Sequence, residues 1–269
     1  MDSSDRQVIG LVPAAGSGKR IAPLPCSKEL FPIGFQMVGG NSEPRAKVAG
    51  HYLLEKFRIA GITTAYIVLR EGKWDIPAYF GDGAMLDMHL AYVVISDSSG
   101  PPDTLDRAYP FVQNKFIAFG FPDILFGPDD VFAQLLLHQV STKADVVLGL
   151  YPAHDSRAMD MVDVDANRRI HSMVLKPAQT DLRYAWVCGV WSSLFTEFMH
   201  EFLASPQIKK NLDQFANQKI DAQGDVPVGA VIQAAIRKGL RVEGVPFPDE
   251  TYVDIGTPDD LVKACRIHR

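Results

Sequence analysis

Residues Leu11 to Lys28 read LVPAAGSGKRIAPLPCSK, and they decide how the chain is organised. The apolar run Val8–Val12 reads as a strand that breaks into a loop carrying Gly16 and Gly18. Arg20 follows two residues on, and Lys28 eight residues after that. Glycines let backbone N–H groups turn toward an anion with no Cβ in the way. Arg20 offers phosphate oxygens a planar fork of donors, and Lys28 offers a point charge. A strand that opens into such a loop at its carboxyl end predicts a polyphosphate cradle on an α/β sheet.

Two familiar glycine loops are excluded. The GxxxxGK[ST] loop fails because Pro13 stands where its first Gly is needed and Arg20 where Ser or Thr is needed. The GxGxxG fingerprint fails because Gly16-Ser17-Gly18 is followed by Lys19, Arg20 and Ile21.

Outward from the loop, Val- and Ile-rich runs alternate with helical patterns. Strands are expected at Thr64–Leu69, Ala91–Ile95, Lys115–Phe119 and Ala144–Leu150, with helices at Arg45–Ala60 and Asp129–Val140. Near-continuous apolar strands separated by helices predict a Rossmann-like, mainly parallel sheet covered on both faces. The later runs Met161–Val164, Ile170–Leu175 and Tyr184–Trp191 read as a smaller antiparallel piece. Helices at Ser192–Ala204 and Val226–Lys238, a strand at Leu240–Val245 and a last helix from Thr257–Pro258 follow. Gly34–Pro44 reads as a loop, either a lid or a surface insertion. We find no repeat and no linker, so one domain over 1–269 is expected, with residues 1–150 and 151–269 as its two halves.

The extended string LVPAAGSGKRIAPLPCSKELFPIG resembles the signature of the sugar-1-phosphate nucleotidylyltransferases. Further segments resemble that family in the same order: AGITTAYIVL, GFPDILF, VLKPAQ, CGVW and VDIGTPDDL. The resemblance implies a reaction in which the phosphate of a sugar 1-phosphate attacks the α-phosphorus of an NTP and pyrophosphate leaves. Ala14, Ala15, Gly16, Ser17, Gly18 and Arg20 would then bind the nucleotide phosphates, and Arg20, Lys28 and Asp123 would be catalytic. Asp123 and Asp254 would share a Mg²⁺ ion, a hard cation suited to carboxylate oxygens. Lys176, Asp160 and Gly189 would face the sugar phosphate. Taken alone, Asp123 and Asp254 also read as turn carboxylates, and Lys176 as a plain strand-end lysine.

The chain departs from the family where substrates are read. Ser99 and Thr104 stand at the positions of a base-reading Gln and Gly. Leu175 replaces the Glu of an EKP segment, Asp160 stands near a family Gly, and Tyr252 replaces a frequent Trp. Three readings follow: an active transferase with an unusual base or acceptor, a silent nucleotide-binding homologue, or a glycosyltransferase on the same kind of fold.

Whole-chain properties narrow the rest. A net charge of −5 in 269 residues, with 47% apolar and 22% charged residues, argues against a nucleic-acid surface. Cys26, Cys188 and Cys265 are widely spaced and odd in number, which fits a reducing compartment with neither a disulfide framework nor a zinc site. The polar start MDSSDRQ and the lack of a membrane-length apolar run predict a cytoplasmic protein with no membrane partner. A homo-oligomer is compatible with all of this.

Overall fold

A computed structural model describes residues 7–37, 44–205 and 226–267. In chain order, β1 (Val8–Ala14) precedes a hairpin of β2 (Pro32–Met37) and β3 (Pro44–Val48), then α1 (Ala49–Ile59) and β4 (Thr64–Arg70). Next come α2 (Asp75–Phe80), β5 (His89–Ile95), α3 (Pro101–Asp106), α4 (Tyr109–Val112), β6 (Phe116–Gly120), β7 (Ile124–Phe126) and α5 (Val131–Thr142). The second half holds β8 (Val146–Pro152), β9 (Met161–Val164), β10 (Ile170–Val174), β11 (Tyr184–Trp191) and α6 (Ser193–Ala204). It ends with α7 (Val228–Arg237), β12 (Val242–Pro246), β13 (Tyr252–Asp254) and α8 (Pro258–Ile267). No helix among the described residues is long and apolar enough to cross a membrane.

The main sheet is mostly parallel, as its apolar strands predict. β1 lies between β4 and β6, parallel to both, and β5 extends the sheet beside β4. β11 runs antiparallel between β6 and β8, and β12 lies parallel to β8. The β9–β10 hairpin joins through Tyr184 and Ala185 at the start of β11, forming the expected antiparallel piece.

Side-chain alternation divides the interior into two cores. Val12 and Ala14 of β1 pack with Leu53, Leu54 and Phe57 of α1 and with Phe132 and Leu135 of α5. Ile9 and Leu11 point the other way, into a cluster with Leu105 of α3, Phe195 of α6, and Val231 and Ile232 of α7. One strand that feeds both clusters is the period-two pattern of a sheet buried on both faces.

Two expectations are corrected. The expected helix Arg45–Ala60 begins only at Ala49, because Arg45, Ala46 and Lys47 pair with Gln36, Phe35 and Gly34 in the β2–β3 ladder. The apolar face of that helix starts at Val48, so its first three positions had no core contact to hold them helical. By the same ladder, Gly34–Met37 of the expected loop is strand, while residues 38–43 lie outside the described residues.

α1 is seated by one close approach. A Cβ on Gly10 would lie 2.8 Å from Cδ2 of Phe57, so the glycine lets that ring approach β1 closely. Phe57 has no exposed surface and meets the Phe132 ring at a centroid distance of 4.7 Å. Phe57→Ala is expected to lower unfolding free energy by about 3–5 kcal/mol through lost burial and a residual cavity. Urea denaturation checks this, and a loss below about 1 kcal/mol would contradict the seating of α1.

Candidate active site

The carboxyl ends of β1, β4 and β6 and the start of the antiparallel β11 open onto a cleft of about 1400 Å³. This is where open α/β sheets bind ligands. Ala15, Gly16, Ser17, Gly18, Arg20, Lys28, Thr104, Asp123, Asp160, Lys176 and Asp254 all line it.

The glycine loop forms one wall. Gly18 has φ +62°, a left-handed conformation that a side chain would strain. Its carbonyl accepts the Ile21 and Ala22 N–H groups at 3.1 and 3.0 Å, closing the turn that presents Arg20. Lys28 comes from a short 3-10 turn, Lys28–Leu30, and its ammonium pairs with the Asp123 carboxylate. A Cβ on Gly16 would lie 3.8 Å from Lys28 Nζ, so this cation sits against the loop.

Asp123 and Asp254 are 131 residues apart in the chain, and a short ladder brings them together. β13 pairs antiparallel with β7, placing Asp254 opposite Ile124. The Ile255 N–H then donates to the Asp123 carbonyl at 2.9 Å. Arg20 completes the group. A Cβ on Gly256 would lie 2.8 Å from Arg20 Nη2 and 3.0 Å from Asp254 Oδ1, so both side chains crowd over that glycine.

The electrostatics are those of a charged cluster held out of water. Burial pushes the Asp254 carboxyl up to about 6, the Asp123 charge adds to this, and Lys28 and Arg20 oppose it. Burial works to lower Lys28, yet Asp123, Glu29 and Asp254 hold it above its ordinary value. Asp254 Oδ1 is buried with no hydrogen-bond partner. An orphaned carboxylate oxygen beside a second carboxylate is a donor set that fits a hard divalent cation. The described residues offer no group of three or more His, Cys, Asp or Glu for a metal, so further ligands would have to be phosphate oxygens or water.

The opposite wall carries Asp160, Leu175, Lys176 and Trp186. Lys176, before Pro177, has φ +39°, which is rare for a residue with a side chain. Asp160 is 8% exposed, and its Oδ1 has no hydrogen-bond partner. Burial pushes its carboxyl up to about 6, against the Lys176 charge, the Trp186 indole N–H and the Lys176 backbone N–H. Oδ2 of Asp160 and Cδ2 of Leu175 would lie 2.4 and 2.9 Å from a Cβ on Gly229, so the two side chains converge over the first turn of α7.

Three expected residues are not on the cleft wall. Ala14 ends β1 with its side chain in the core below the loop. Ser99 is exposed; its N–H donates to Asp103 and its carbonyl accepts the Val226 N–H, while Ser98 and Gly100 line the cleft. Ser98 Oγ lies 2.7 Å from Thr104 Oγ1. Gly189 sits inside β11 between Phe119 and Leu148, where a Cβ would lie 2.9 Å from Leu148 Cδ2, so sheet packing accounts for that glycine.

Sequence reading missed Glu29 and Lys73. Glu29 is 2% exposed although it follows Lys28 in a polar loop. Lys73 Nζ donates to Glu29 Oε1 and Oε2 at 2.7 and 2.8 Å, to the Ala14 carbonyl at 2.8 Å and to the Gly16 carbonyl at 3.1 Å. The one local hint was the turn EGK after β4, which marks a loop but no partner.

Comparison with known proteins gives concordant results. The nucleotidyl transferase family model matches residues 9–268. The chain is 28% identical over 174 residues to mannose-1-phosphate guanylyltransferase of Mycobacterium tuberculosis, a stretch covering 63% of this chain and 44% of that protein. This chain therefore spans less than half the length of that relative. Its fold is similar to that of a candidate glucose-1-phosphate thymidylyltransferase from Bacillus anthracis, with TM-score 0.76, 19% identity and coverage of 97% and 95% of the two chains. It is also similar to apo UDP-glucose pyrophosphorylase, with TM-score 0.77, 16% identity and coverage of 96% and 97%.

The buried Asp160 has a measurable consequence. Its folded pKa lies above the unfolded value, so the folded state holds the extra proton between pH about 4 and 6. Its contribution to stability therefore falls as pH rises through that window. Asp160→Asn removes this dependence, so its Tm relative to the parent protein should climb by several degrees from pH about 4.5 to about 7, reflecting about 2 kcal/mol. Thermal unfolding at both pH values measures it. A constant difference would contradict the buried carboxylate.

Proposed function

The chain belongs to the nucleotidyl transferase family, and from that membership we propose that it transfers a nucleotidyl group from an NTP to a sugar 1-phosphate or a similar phosphorylated alcohol. The products are an NDP-sugar, or its analogue, and pyrophosphate. The observation that carries this reading is the convergence of Arg20, Lys28, Asp123 and Asp254 at one cleft mouth from three distant chain segments. Two cations and two acids concentrated beside a glycine loop suit the in-line reaction of two mutually repelling phosphates.

Each residue has a distinct task in this reading. The Ala15–Gly18 backbone and Arg20 hold the β- and γ-phosphates and stabilise the charge that builds on departing pyrophosphate. Lys28, held by Asp123, faces the α-phosphate and offsets charge as its pentacoordinate geometry forms. Lys176, on the opposite wall, binds the acceptor phosphate and aims one of its oxygens at the α-phosphorus. Asp160 accepts a hydrogen bond from the acceptor's alcohol portion, and Leu175 gives that pocket an apolar side. Asp123 and Asp254 would hold Mg²⁺, which when bound would neutralise phosphate charge. Residues 1–150 thus serve mainly the nucleotide and 151–269 mainly the acceptor, with Asp254 reaching back to the phosphates.

The reading is tested by incubating the protein and Mg²⁺ with each of the four NTPs and a panel of sugar 1-phosphates. Pyrophosphate should appear only when both substrates are present. Arg20→Ala and Asp123→Asn should each lower the rate by about a hundredfold or more, as losing a transition-state contact does. Nucleotide binding without release would point to a silent homologue, and consumption of an NDP-sugar to a glycosyltransferase. Release unchanged in both variants would refute the site.

A further inference from the structure

Lys73 is not itself on the cleft wall, yet its ammonium is bonded on every side. An ammonium has three donors. Here they meet three acceptor groups: the carbonyls of Ala14 and Gly16 and the carboxylate of Glu29. Its hydrogen-bonding capacity is filled, so gripping a phosphate would require breaking one of these bonds. Lys73 is therefore placed to act on the loop from behind.

The direction of that action follows from peptide geometry. In a trans peptide the carbonyl of one residue and the N–H of the next point opposite ways. The only cis bonds among the described residues are Ala22–Pro23 and Gly127–Pro128, so the peptides after Ala14 and Gly16 are trans. Holding both carbonyls on Lys73 turns the Ala15 and Ser17 N–H groups away from it. The same ammonium fixes Glu29, the chain neighbour of Lys28, and so ties the 3-10 turn that presents Lys28 to the base of the loop.

We infer that Lys73 is a positioning residue for the anion loop: its carbonyl clamp pre-orients the Ala15 and Ser17 N–H groups, and the Glu29 side chain accepts the rest of its donor capacity. The inference rests on the proposed function only in taking residues 15–18 as the anion-binding loop. Without the clamp the loop must be ordered by the ligand, and that ordering cost weakens binding. A lysine that merely neutralised Glu29 would have no such effect once the carboxylate was gone.

Two variants separate these roles. Glu29→Gln keeps the clamp and removes the carboxylate; the double variant Lys73→Met/Glu29→Gln removes both, leaving no buried unpaired charge. Backbone ¹⁵N order parameters at residues 15–18, measured without ligand, should match the parent in Glu29→Gln and fall clearly in the double variant. Affinity for inorganic pyrophosphate with Mg²⁺, by calorimetry, should be retained in Glu29→Gln and fall about tenfold in the double variant. With turnover, the double variant should raise KM for the NTP and leave KM for the acceptor unchanged. If the order parameters at 15–18 and the pyrophosphate affinity are the same in the two variants, the inference is overturned, whatever the enzyme's activity. A parent protein that binds pyrophosphate yet never turns over would defeat the proposed function and leave the clamp standing.

Discussion

The site depends on a three-residue ladder. Pairing of Tyr252–Asp254 with Ile124–Phe126 is among the shortest in the molecule, yet it alone sets Asp254 one residue past Asp123 on the facing strand. The carboxylates would repel in any medium of low polarity. Backbone hydrogen bonds and the apolar contacts of Val253, Ile255 and Leu125 hold them in place against that repulsion. Lys28 and Arg20 then enter a field that already favours cations. The order of causes runs from ladder to acids to cations, and the glycine loop is the last member.

Charge balance explains the position of the buried groups. Burial holds the Glu29 carboxyl above its ordinary range, against Lys73. The same balance recurs across the cleft, where Asp160 answers Lys176. Lys28, Lys73 and Lys176 thus each have an acid beside them. A mildly acidic chain can therefore gather cations along one cleft, because acids compensate them from the interior.

What could be read from the chain follows from the range of the forces involved. β1, β4, β6, β8 and β11 were legible within a residue or two because each is a continuous apolar run, and burial on both faces leaves no other choice. Gly16, Gly18, Arg20 and Lys28 could be grouped from the chain because they are near neighbours in sequence, and they line one cleft. Arg45–Lys47 were misread because a hairpin partner, remote from any pattern in those residues, held them extended. Ser98 and Ser99 differ only in which way the backbone turns before α3, and no composition rule reports that. Glu29 and Lys73 were invisible for a related reason. Each is an ordinary surface residue type, and only their meeting behind the loop removes them from water.

The crowding of Arg20 and Asp254 over Gly256 sets an order of assembly during synthesis. The cradle at residues 15–20 emerges from the ribosome early, and β1, β4, β5 and β6 can pair around it long before residue 254 is made. Until then the cations of the loop lack the second carboxylate that completes their setting. A nascent chain can thus hold much of its parallel sheet without the finished charged cluster, which would come late and all at once rather than growing with chain length.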